Sequence, residues 1–316
     1  MKRISLLLLL AFAFPVLGQP YPSKPIRVVV AFPPGGPSDI VARLLGPKMS
    51  ETLGQPVVIE NRAGAGGNVP TAQVAKAPAD GYTLLVHSSA YAVNPSLSPN
   101  AGYDPDKDFV PISVVAAQPN LILVHADFPA RSLADLLALA KRQSLAYASP
   151  SSGTTPHLTA ENLFKVRAKV DITHVPFKGG GPAAAAVLGG QPPIGSMAVG
   201  GQMPNIKAGK LRVLAVSSSR RLASLPDVPM LGELGFPDME DYTWIGYFAP
   251  AGTPSDIAQR LNAAVLDAAR SPEMRQRLDE LAFDVTAAPL SETSAYVRSE
   301  VMKWAKVVRD TGAKVD

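Results

Sequence analysis

Runs of aliphatic and β-branched residues alternate with amphipathic helical segments along this chain, and this alternation constrains the fold more than any other feature. The run "IRVVVAF" from Ile26 precedes a helix predicted over about Ser38 to Leu53. The pattern continues with "PVVIEN", a helix after Gly67 and the run "YTLLVHSS". Continuous apolar strands that alternate with helices are typical of a parallel sheet covered on both faces. We therefore predict an α/β fold.

The same alternation starts again in the second half of the chain, after the long apolar run "ISVVAAQPNLILVH". Helices are predicted from about Ser132 to Arg142, from about Thr155 to Val166 and after Pro182. The strands of this half are predicted at "LAYAS", "ITHVPF" and "LRVLAVS". A further predicted strand, "TWIGYFAP", would return the chain to the first unit. The sequence thus indicates two α/β units in one chain.

The C-terminal part is predicted to be mostly helical. Amphipathic spacing predicts helices over Pro254 to Ala269, Pro272 to Leu281 and Ser291 to Val308. A proline is favoured in the first turn of a helix, and a preceding hydroxyl side chain can cap that turn. We therefore expect Thr253 and Ser271 to be the N-caps of the first two helices.

The first 18 residues have the pattern of a secretory signal peptide. Lys2 and Arg3 are followed by an apolar run from Ile4 to Phe14, which is too short to span a bilayer comfortably. We expect cleavage near Gly18, with an uncleaved membrane anchor as the alternative. The chain of 316 residues contains no cysteine, which is compatible with an exported protein of the bacterial periplasm.

Charge and composition exclude several classes of protein. The chain is 47% hydrophobic and 18% charged, which argues against disorder. Removal of Lys2 and Arg3 lowers the formal net charge from +4 to +2. Because no Lys/Arg-rich run accompanies this small charge, we expect no nucleic-acid partner.

Glycine turns and short polar side chains recur where predicted strands end and helices begin. The first N–H groups of a helix have no partner within the helix, so such a junction can bind an anion. Ligands of open α/β sheets bind at the carboxyl ends of the strands. The candidate ligand-binding residues at these junctions are Pro34, Gly35, Gly36, Ser38, Asp39, Ala65, Gly66, Ser88, Ser89, Asn94, Ser149, Ser151, Thr154, His157, Lys178 and Gly179.

These junctions offer mainly neutral donors, with Arg62, His157 and Lys178 as the nearby potential cations. Backbone N–H groups, hydroxyls and amides suit a small anion such as a carboxylate. Helix capping by Ser38 or Asp39 is the alternative explanation of the first junction. The alternative to a ligand-binding role is a solvated surface position for Arg62 and Lys178. For His157 the alternative is packing against its own helix.

Catalytic motifs are largely missing from the sequence. It contains neither a G-x-S-x-G nucleophile motif nor a G-x-x-x-x-G-K-[ST] phosphate loop, and its four histidines lack metal-ligand spacing. We therefore expect neither a metal nor a cofactor. The alternative is an exported hydrolase in which Ser151 or Ser152 is the nucleophile, His157 the base and Asp39 the third member.

The sequence closely resembles the Bug-type receptors, the extracytoplasmic solute-binding proteins of tripartite tricarboxylate transporters. The resemblance covers nearly the whole mature chain and is carried, in order, by "YPSKPIRVVVAFPPGGPSDIVAR", "LGQPVVIENRAGAGGN", "DGYTLL", "NPSL", "YDPDKDFVPI", "HLTAENLF", "HVPFKGGGPA", "IKAGKLRVLAV", "LPDVPML" and "APAGTP". It implies a two-lobed type II periplasmic-binding-protein fold, in which two crossover segments form a hinge. Residues 19–120 and 247–316 would form lobe 1, and residues 121–246 would form lobe 2.

The resemblance also implies a function and partners. It implies a receptor, not an enzyme, that captures a small organic carboxylate between its lobes and delivers it to the membrane permease subunits. We expect a periplasmic monomer. A ligand sensor for a signalling partner is the second alternative, because transport and sensing both use closure around a ligand.

The sequence departs from the family pattern at two positions. Ser151 stands near a place where the family usually has glycine, and Met197 stands where the family often has an acidic or polar residue. A methionine cannot pair with the ammonium group of an amino acid. If Met197 lines the ligand site, this departure favours carboxylates that lack an amino group; packing within the lobe is the alternative.

Overall fold

The fold is described from a computed structural model, which covers residues 20–98 and 100–314. The proposed signal peptide, residues 1–18, lies outside the described residues. Within the described part of the chain, no helix has the length and the apolar character needed to cross a membrane.

The first half of the chain alternates strands and helices, as the sequence predicts. In chain order its elements are β1 (Ile26–Val30), α1 (Pro37–Leu53), β2 (Val57–Asn61), α2 (Asn68–Ala75), β3 (Thr83–Ser88), α3 (Ala90–Leu97) and the long strand β4 (Phe109–His125). Strand β1 pairs in parallel with both β2 and β3. The helix α3 has no counterpart in the sequence-based prediction.

The second half repeats this architecture and then returns to the first. Its elements are α4 (Leu133–Ala140), β5 (Leu145–Ser149), α5 (Thr155–Glu161), β6 (Ile172–Pro176), α6 (Gly180–Leu188), β7 (Ile194–Ala198), α7 (Met203–Lys207), β8 (Leu211–Val216), β9 (Tyr242–Pro250), α8 (Ser255–Arg270), α9 (Pro272–Glu280), β10 (Asp284–Val285) and α10 (Leu290–Thr311). Strand β5 pairs in parallel with β6 and β7. Strand β7 also has no counterpart in the prediction, because its run "IGSMA" contains small residues and follows two prolines.

Strand β4 connects the two halves. Its first part pairs antiparallel with β9 as far as Pro119, which lies opposite Tyr242. From Asn120 onward it pairs antiparallel with β7. The carboxyl ends of β1 and β3 in one half therefore face those of β5 and β7 in the other half, across the middle of β4.

The cores lie on both faces of these sheets, as expected where helices cover a parallel sheet. In the first half, Val28 and Leu45 belong to one buried cluster, and Leu85 and Trp304 belong to the cluster on the opposite face. The second half has its own pair of clusters, around Phe164 and around Met197. Each half thus has a separate hydrophobic core, which is the requirement for two lobes.

The two predicted helix caps have different outcomes. Ser271 caps α9, because its hydroxyl accepts a hydrogen bond from the N–H of Met274. The prediction for Thr253 is wrong. Helix α8 begins after Pro254, and the Thr253 hydroxyl instead donates to the carbonyl of Pro250 at 2.7 Å. Proline at the N-cap moves the helix start one residue beyond the expected position.

Candidate ligand-binding site

The loop between β1 and α1 is held by the carboxylate of Asp39. Its Oδ2 accepts a hydrogen bond from the N–H of Gly35 at 2.9 Å, and its Oδ1 accepts from Arg43 Nε and Asn61 Nδ2, each at 2.8 Å. Gly36 occupies the N-cap position of α1 without a side-chain cap. The carboxylate therefore binds the loop back onto the helix, and three donors already occupy it.

The remaining predicted residues of this loop differ in their exposure to solvent. Pro34 and Gly35 are exposed, whereas Ser38 is buried in the first turn of α1. Neither Ser38 nor Asp39 occupies the N-cap position, so the capping alternative does not describe this junction. The first N–H groups of α1 remain as the donors that this junction can offer to an anion.

The loop between β2 and α2 contacts helix α3. Asn94 Nδ2 donates to the carbonyl of Gly66 at 2.9 Å. Ala65 is exposed and has a φ of 46°, which is uncommon for a residue with a Cβ. Such an outlier persists only where its surroundings enforce it, and functional loops are a frequent place for it.

Glycine is required at position 67 because a histidine lies beneath it. A Cβ on Gly67 would lie 2.3 Å from Nε2 of His87, and Gly67 also has a φ of 98°. His87 is completely buried, and this burial lowers its pKa to about 4. Its Nδ1 lies 2.9 Å from the carbonyl oxygen of Ser88. A neutral imidazole thus supports both the Gly67 turn and the end of β3.

Ser88 and Ser89 follow directly in the turn between β3 and α3. The Ser88 hydroxyl accepts a hydrogen bond from the N–H of Ala90 at 3.3 Å. The Ser89 hydroxyl lies 2.9 Å from that of Thr155, the first residue of α5. Ser89 therefore contacts the other half of the molecule.

In the second half, the loop from Ser149 to Thr154 is bonded within itself. The hydroxyls of Ser149 and Thr154 both donate to the carbonyl of Ser151, at 3.2 and 2.8 Å. Ser149 Oγ also lies 2.7 Å from Nε2 of His174. These internal bonds give the loop before α5 a defined shape.

His157 supports this loop from inside α5. Its Nδ1 accepts a hydrogen bond from the N–H of Gly153 at 3.3 Å, and its ring stacks on His174 with 3.9 Å between centroids. Burial, and then the positive charge of Lys165, lower the pKa of His157 to about 4. The hydrolase alternative is not supported, because Nδ1 of His157 binds Gly153 and Asp39 is bonded within its own loop.

The loop before α6 joins the same surface. The N–H of Gly179, the N-cap residue of α6, donates to the carbonyl of Pro150 at 2.7 Å. Lys178 is exposed. The loops before α5 and α6 are therefore linked, and Lys178 lies at their solvent side.

Met197 does not share the surroundings of the other candidates. It is completely buried, and it belongs to an apolar cluster with Leu121, Leu123 and Val187. The structure therefore places this side chain in the core of the second half. A ligand-selective role for Met197 has no support in this packing.

The loops of the two halves touch each other directly. A Cβ on Gly153 would lie 2.4 Å from Oδ1 of Asn94, and a Cβ on Gly66 would lie 3.4 Å from the carbonyl oxygen of Ser152. Sequence reasoning did not select Gly153 or Thr155 as site residues, although Gly153 lies in a loop that it did select and Thr155 follows that loop as the first residue of α5. It also had no signal for Thr243 and Asn120, which lie within strands and continue the hydrogen bonds of Thr155.

Two α/β lobes joined by long strands, with the loops before helix N-termini of both lobes in contact with each other, define a solute-binding protein of the periplasmic type. The chain matches the tripartite tricarboxylate transporter family receptor over residues 41–313. It is 38% identical over 307 residues to protein BugT of Bordetella pertussis, an alignment that covers 96% of this chain and 94% of that protein. The chain belongs to this receptor family.

Solved structures agree with this assignment. Rpa4515 of R. palustris, solved with adipate, has a TM-score of 0.88 and 34% identity, and the match covers 94% of this chain and 100% of that one. MatC from Rhodopseudomonas palustris, solved with bound malate, has a TM-score of 0.85 and 36% identity over 91% and 100% of the two chains. The predicted two-lobed fold and the predicted solute-binding, non-enzymatic role are confirmed.

Proposed function

We propose that this chain captures a small organic carboxylate between its two lobes and presents it to the membrane permease subunits of a tripartite tricarboxylate transporter. The observation that carries the proposal is the contact of helix α3 and the loop before α2 with the loop before α5. Asn94 and Gly66 of lobe 1 lie against Ser152 and Gly153 of lobe 2. A small ligand held at these loops would contact both lobes.

The site residues suit a carboxylate. Helix N-termini and neutral N–H and hydroxyl groups bind anions well. The loops before α1, α5 and α6 each supply such donors, and the exposed Lys178 adds a positive charge at the rim. The adipate and malate named for two solved relatives are both dicarboxylates. We propose the same ligand class for this chain.

We further propose that the ligand lacks an amino group. A buried ammonium needs an acceptor that replaces its water. Among the predicted site residues the carboxylate is that of Asp39, and its oxygens already accept from Gly35, Arg43 and Asn61. This argument does not depend on Met197, which is buried elsewhere.

Calorimetric titration with the matched pair succinate and aspartate tests this ligand class. Succinate is expected to bind about fivefold to 150-fold more tightly, because the unpaired ammonium of aspartate would cost roughly 1–3 kcal/mol. Tighter binding of aspartate would contradict the proposal that the site has no acceptor for an ammonium group. Adipate and benzoate extend the series to longer and aromatic acids, and failure of every carboxylate would contradict the proposed function itself.

The proposal includes the cellular context of the receptor. Receptors of this family are periplasmic, and residues 1–18 are proposed to direct export of this chain. We also propose that the mature protein is a monomer. Its lobes would comprise residues 19–120 with 247–316, and residues 121–246.

A further inference from the structure

A chain of buried hydrogen bonds connects the two lobes next to the candidate site. It starts at Ser89, at the carboxyl end of β3, and ends at Lys303 on α10. Its members, in order, are Ser89, Thr155, Thr243, Asn120, Thr159, Asp241 and Lys303. We call these seven residues the interlobe chain. It passes from lobe 1 to lobe 2 and back, through both connecting strands.

In every link of the interlobe chain, the two polar atoms lie within hydrogen-bond distance of each other. The hydroxyl of Thr155 lies 2.9 Å from that of Ser89 and 2.9 Å from that of Thr243. Asn120 Oδ1 lies 2.8 Å from the Thr243 hydroxyl. Asn120 Nδ2 lies 3.1 Å from the Thr159 hydroxyl, which in turn lies 3.2 Å from Asp241 Oδ2. The first six members are all buried, so water does not compete strongly for these bonds.

The end of the interlobe chain determines the direction of its protons. Asp241 Oδ1 lies 3.0 Å from the ammonium of Lys303. Burial lowers the pKa of Lys303, but the carboxylates of Asp241 and Glu300 outweigh it, so that this pKa is raised overall. An ionised carboxylate can only accept hydrogen bonds. Thr159 must therefore donate its single hydroxyl proton to Asp241.

The remaining directions follow one by one. Because the proton of Thr159 is used, Asn120 must donate to Thr159 through Nδ2, and its Oδ1 then faces Thr243. Thr243 must donate to that oxygen. Thr155 must consequently donate to Thr243, and Ser89 must donate to Thr155.

We propose that Asp241 and Lys303, acting through the interlobe chain, make Ser89 a hydrogen-bond acceptor toward the ligand, so that Ser89 selects a ligand hydroxyl over a carboxylate oxygen. This inference rests on the proposed function, which puts the ligand at these loops. The Ser89 proton points at Thr155 and its lone pairs remain for the ligand. A hydroxylated dicarboxylate such as malate then gains a bond that succinate lacks.

A neutron diffraction structure of the ligand-free, deuterium-exchanged protein tests the direction without any ligand. The deuteron of Ser89 is expected on the line from its Oγ to Thr155, and the deuteron of Thr155 on the line to Thr243. Deuterons that point the opposite way would overturn the proposal. This measurement is independent of the proposed function.

The variant Asp241→Asn tests the consequence for binding. The amide oxygen of the new side chain would face Lys303, which has only donors, and its NH₂ group would face Thr159. The Asn120 amide then turns over so that its Oδ1 accepts from Thr159 and its Nδ2 donates to Thr243. The direction of the whole chain reverses, and the Ser89 proton becomes available to the ligand. The ratio of the dissociation constants of succinate and malate is expected to fall about fivefold to tenfold, as for one hydrogen bond.

Two controls accompany this variant. Asp238→Asn removes a carboxylate that is exposed and pairs with Arg167, and it is expected to leave the ratio unchanged. If Asp241→Asn does not fold, Thr155→Val separates Ser89 from the rest of the chain and is expected to lower the ratio in the same way. Thr253→Val, which removes a buried hydroxyl outside the site, is its control.

The outcomes distinguish the two proposals. An unchanged ratio in a folded Asp241→Asn or Thr155→Val protein that binds both acids would overturn the role of Ser89. If the wild type binds neither succinate nor malate, the titrations with adipate and benzoate decide the ligand class, and the neutron structure alone decides the proton direction.

Discussion

Gly153→Ala is expected to weaken ligand binding by about thirtyfold while leaving a folded protein. A Cβ at this position would lie 2.4 Å from Oδ1 of Asn94, on the opposite lobe. Asn94 is buried and its amide is bonded to Gly66, so it cannot move away without the loss of that bond. Overpacking of this kind costs roughly 1–3 kcal/mol, and about 2 kcal/mol corresponds to thirtyfold in affinity.

The Gly153→Ala substitution has two effects, backbone strain and the clash with Asn94, and a control variant must separate them. Gly153 has a φ of 80°, so an alanine is strained there whatever its surroundings. Gly209 has a φ of 68°, and a Cβ there meets no described atom within 4 Å. Gly209→Ala is therefore the matched control. Both variants are expected to lose about 1–2 kcal/mol of stability, but only Gly153→Ala loses affinity.

Calorimetric titration and chemical denaturation of the two variants measure these quantities side by side. Wild-type affinity in a folded Gly153→Ala protein would mean that the loops of the two lobes do not need to approach each other. Equal losses of affinity in both variants would assign the effect to backbone strain alone.

Acidification is expected to destabilise the fold by about 3 kcal/mol for each of two buried imidazoles, those of His87 and His157. Burial lowers the pKa of both side chains from 6.5 to about 4, with a further contribution from Lys165 for His157. Because the pKa is lower in the folded state, the unfolded chain takes up protons first. The stabilisation is fully present above pH 6.5 and is lost as the pH falls through about 4.

Urea denaturation between pH 7.5 and pH 4.5 measures this loss. In His157→Gln and in His87→Gln, the free energy of unfolding is expected to depend on pH with a slope that is shallower by up to one proton. His125→Gln, which changes a half-exposed side chain at the end of β4, is the control. A slope equal to that of the wild type in both buried-histidine variants would contradict the role of these imidazoles.

The strand-end loops could be predicted because the residues that form each of them are consecutive in the sequence. Gly35 and Gly36 stand between an apolar strand and a proline-started helix, and that pattern alone indicates a turn before a helix N-terminus. The start of α5 at Thr155 was predicted for the same reason. At Thr253 two local signals compete, a hydroxyl side chain that could cap a helix and the proline that follows it. The proline takes the N-cap position, and α8 therefore begins at Ser255.

The direction of a side chain and its partners from distant parts of the sequence could not be predicted. Met197 lies on β7, a strand too rich in small residues to be recognised, and only the pairing of that strand shows that its side chain enters the core. From the sequence, Asp39 was a candidate ligand-binding residue, with helix capping as its alternative, and nothing local shows that its carboxylate is already bonded. Its occupation depends on Asn61, which is 22 residues away.

The interlobe chain is the extreme case of this limitation. Asn120 and Thr243 are 123 residues apart, and both lie within strands where hydroxyl and amide side chains carry no functional pattern. Their importance comes from their burial and from the single proton that each hydroxyl can donate. Both can be assessed only in the folded structure. Sequence patterns therefore locate the loops, whereas tertiary contacts determine what those loops can recognise.

A crystal structure with the tightest-binding acid among succinate, malate and adipate tests the central claim most directly. One carboxylate is expected within hydrogen-bond distance of backbone N–H groups at the start of α1, and the ligand is expected to contact the loop from Ser151 to Thr154 as well. A ligand that contacts one lobe alone, or that occupies the surface groove lined by Arg43, Ser50 and Ile59, would contradict capture between the lobes.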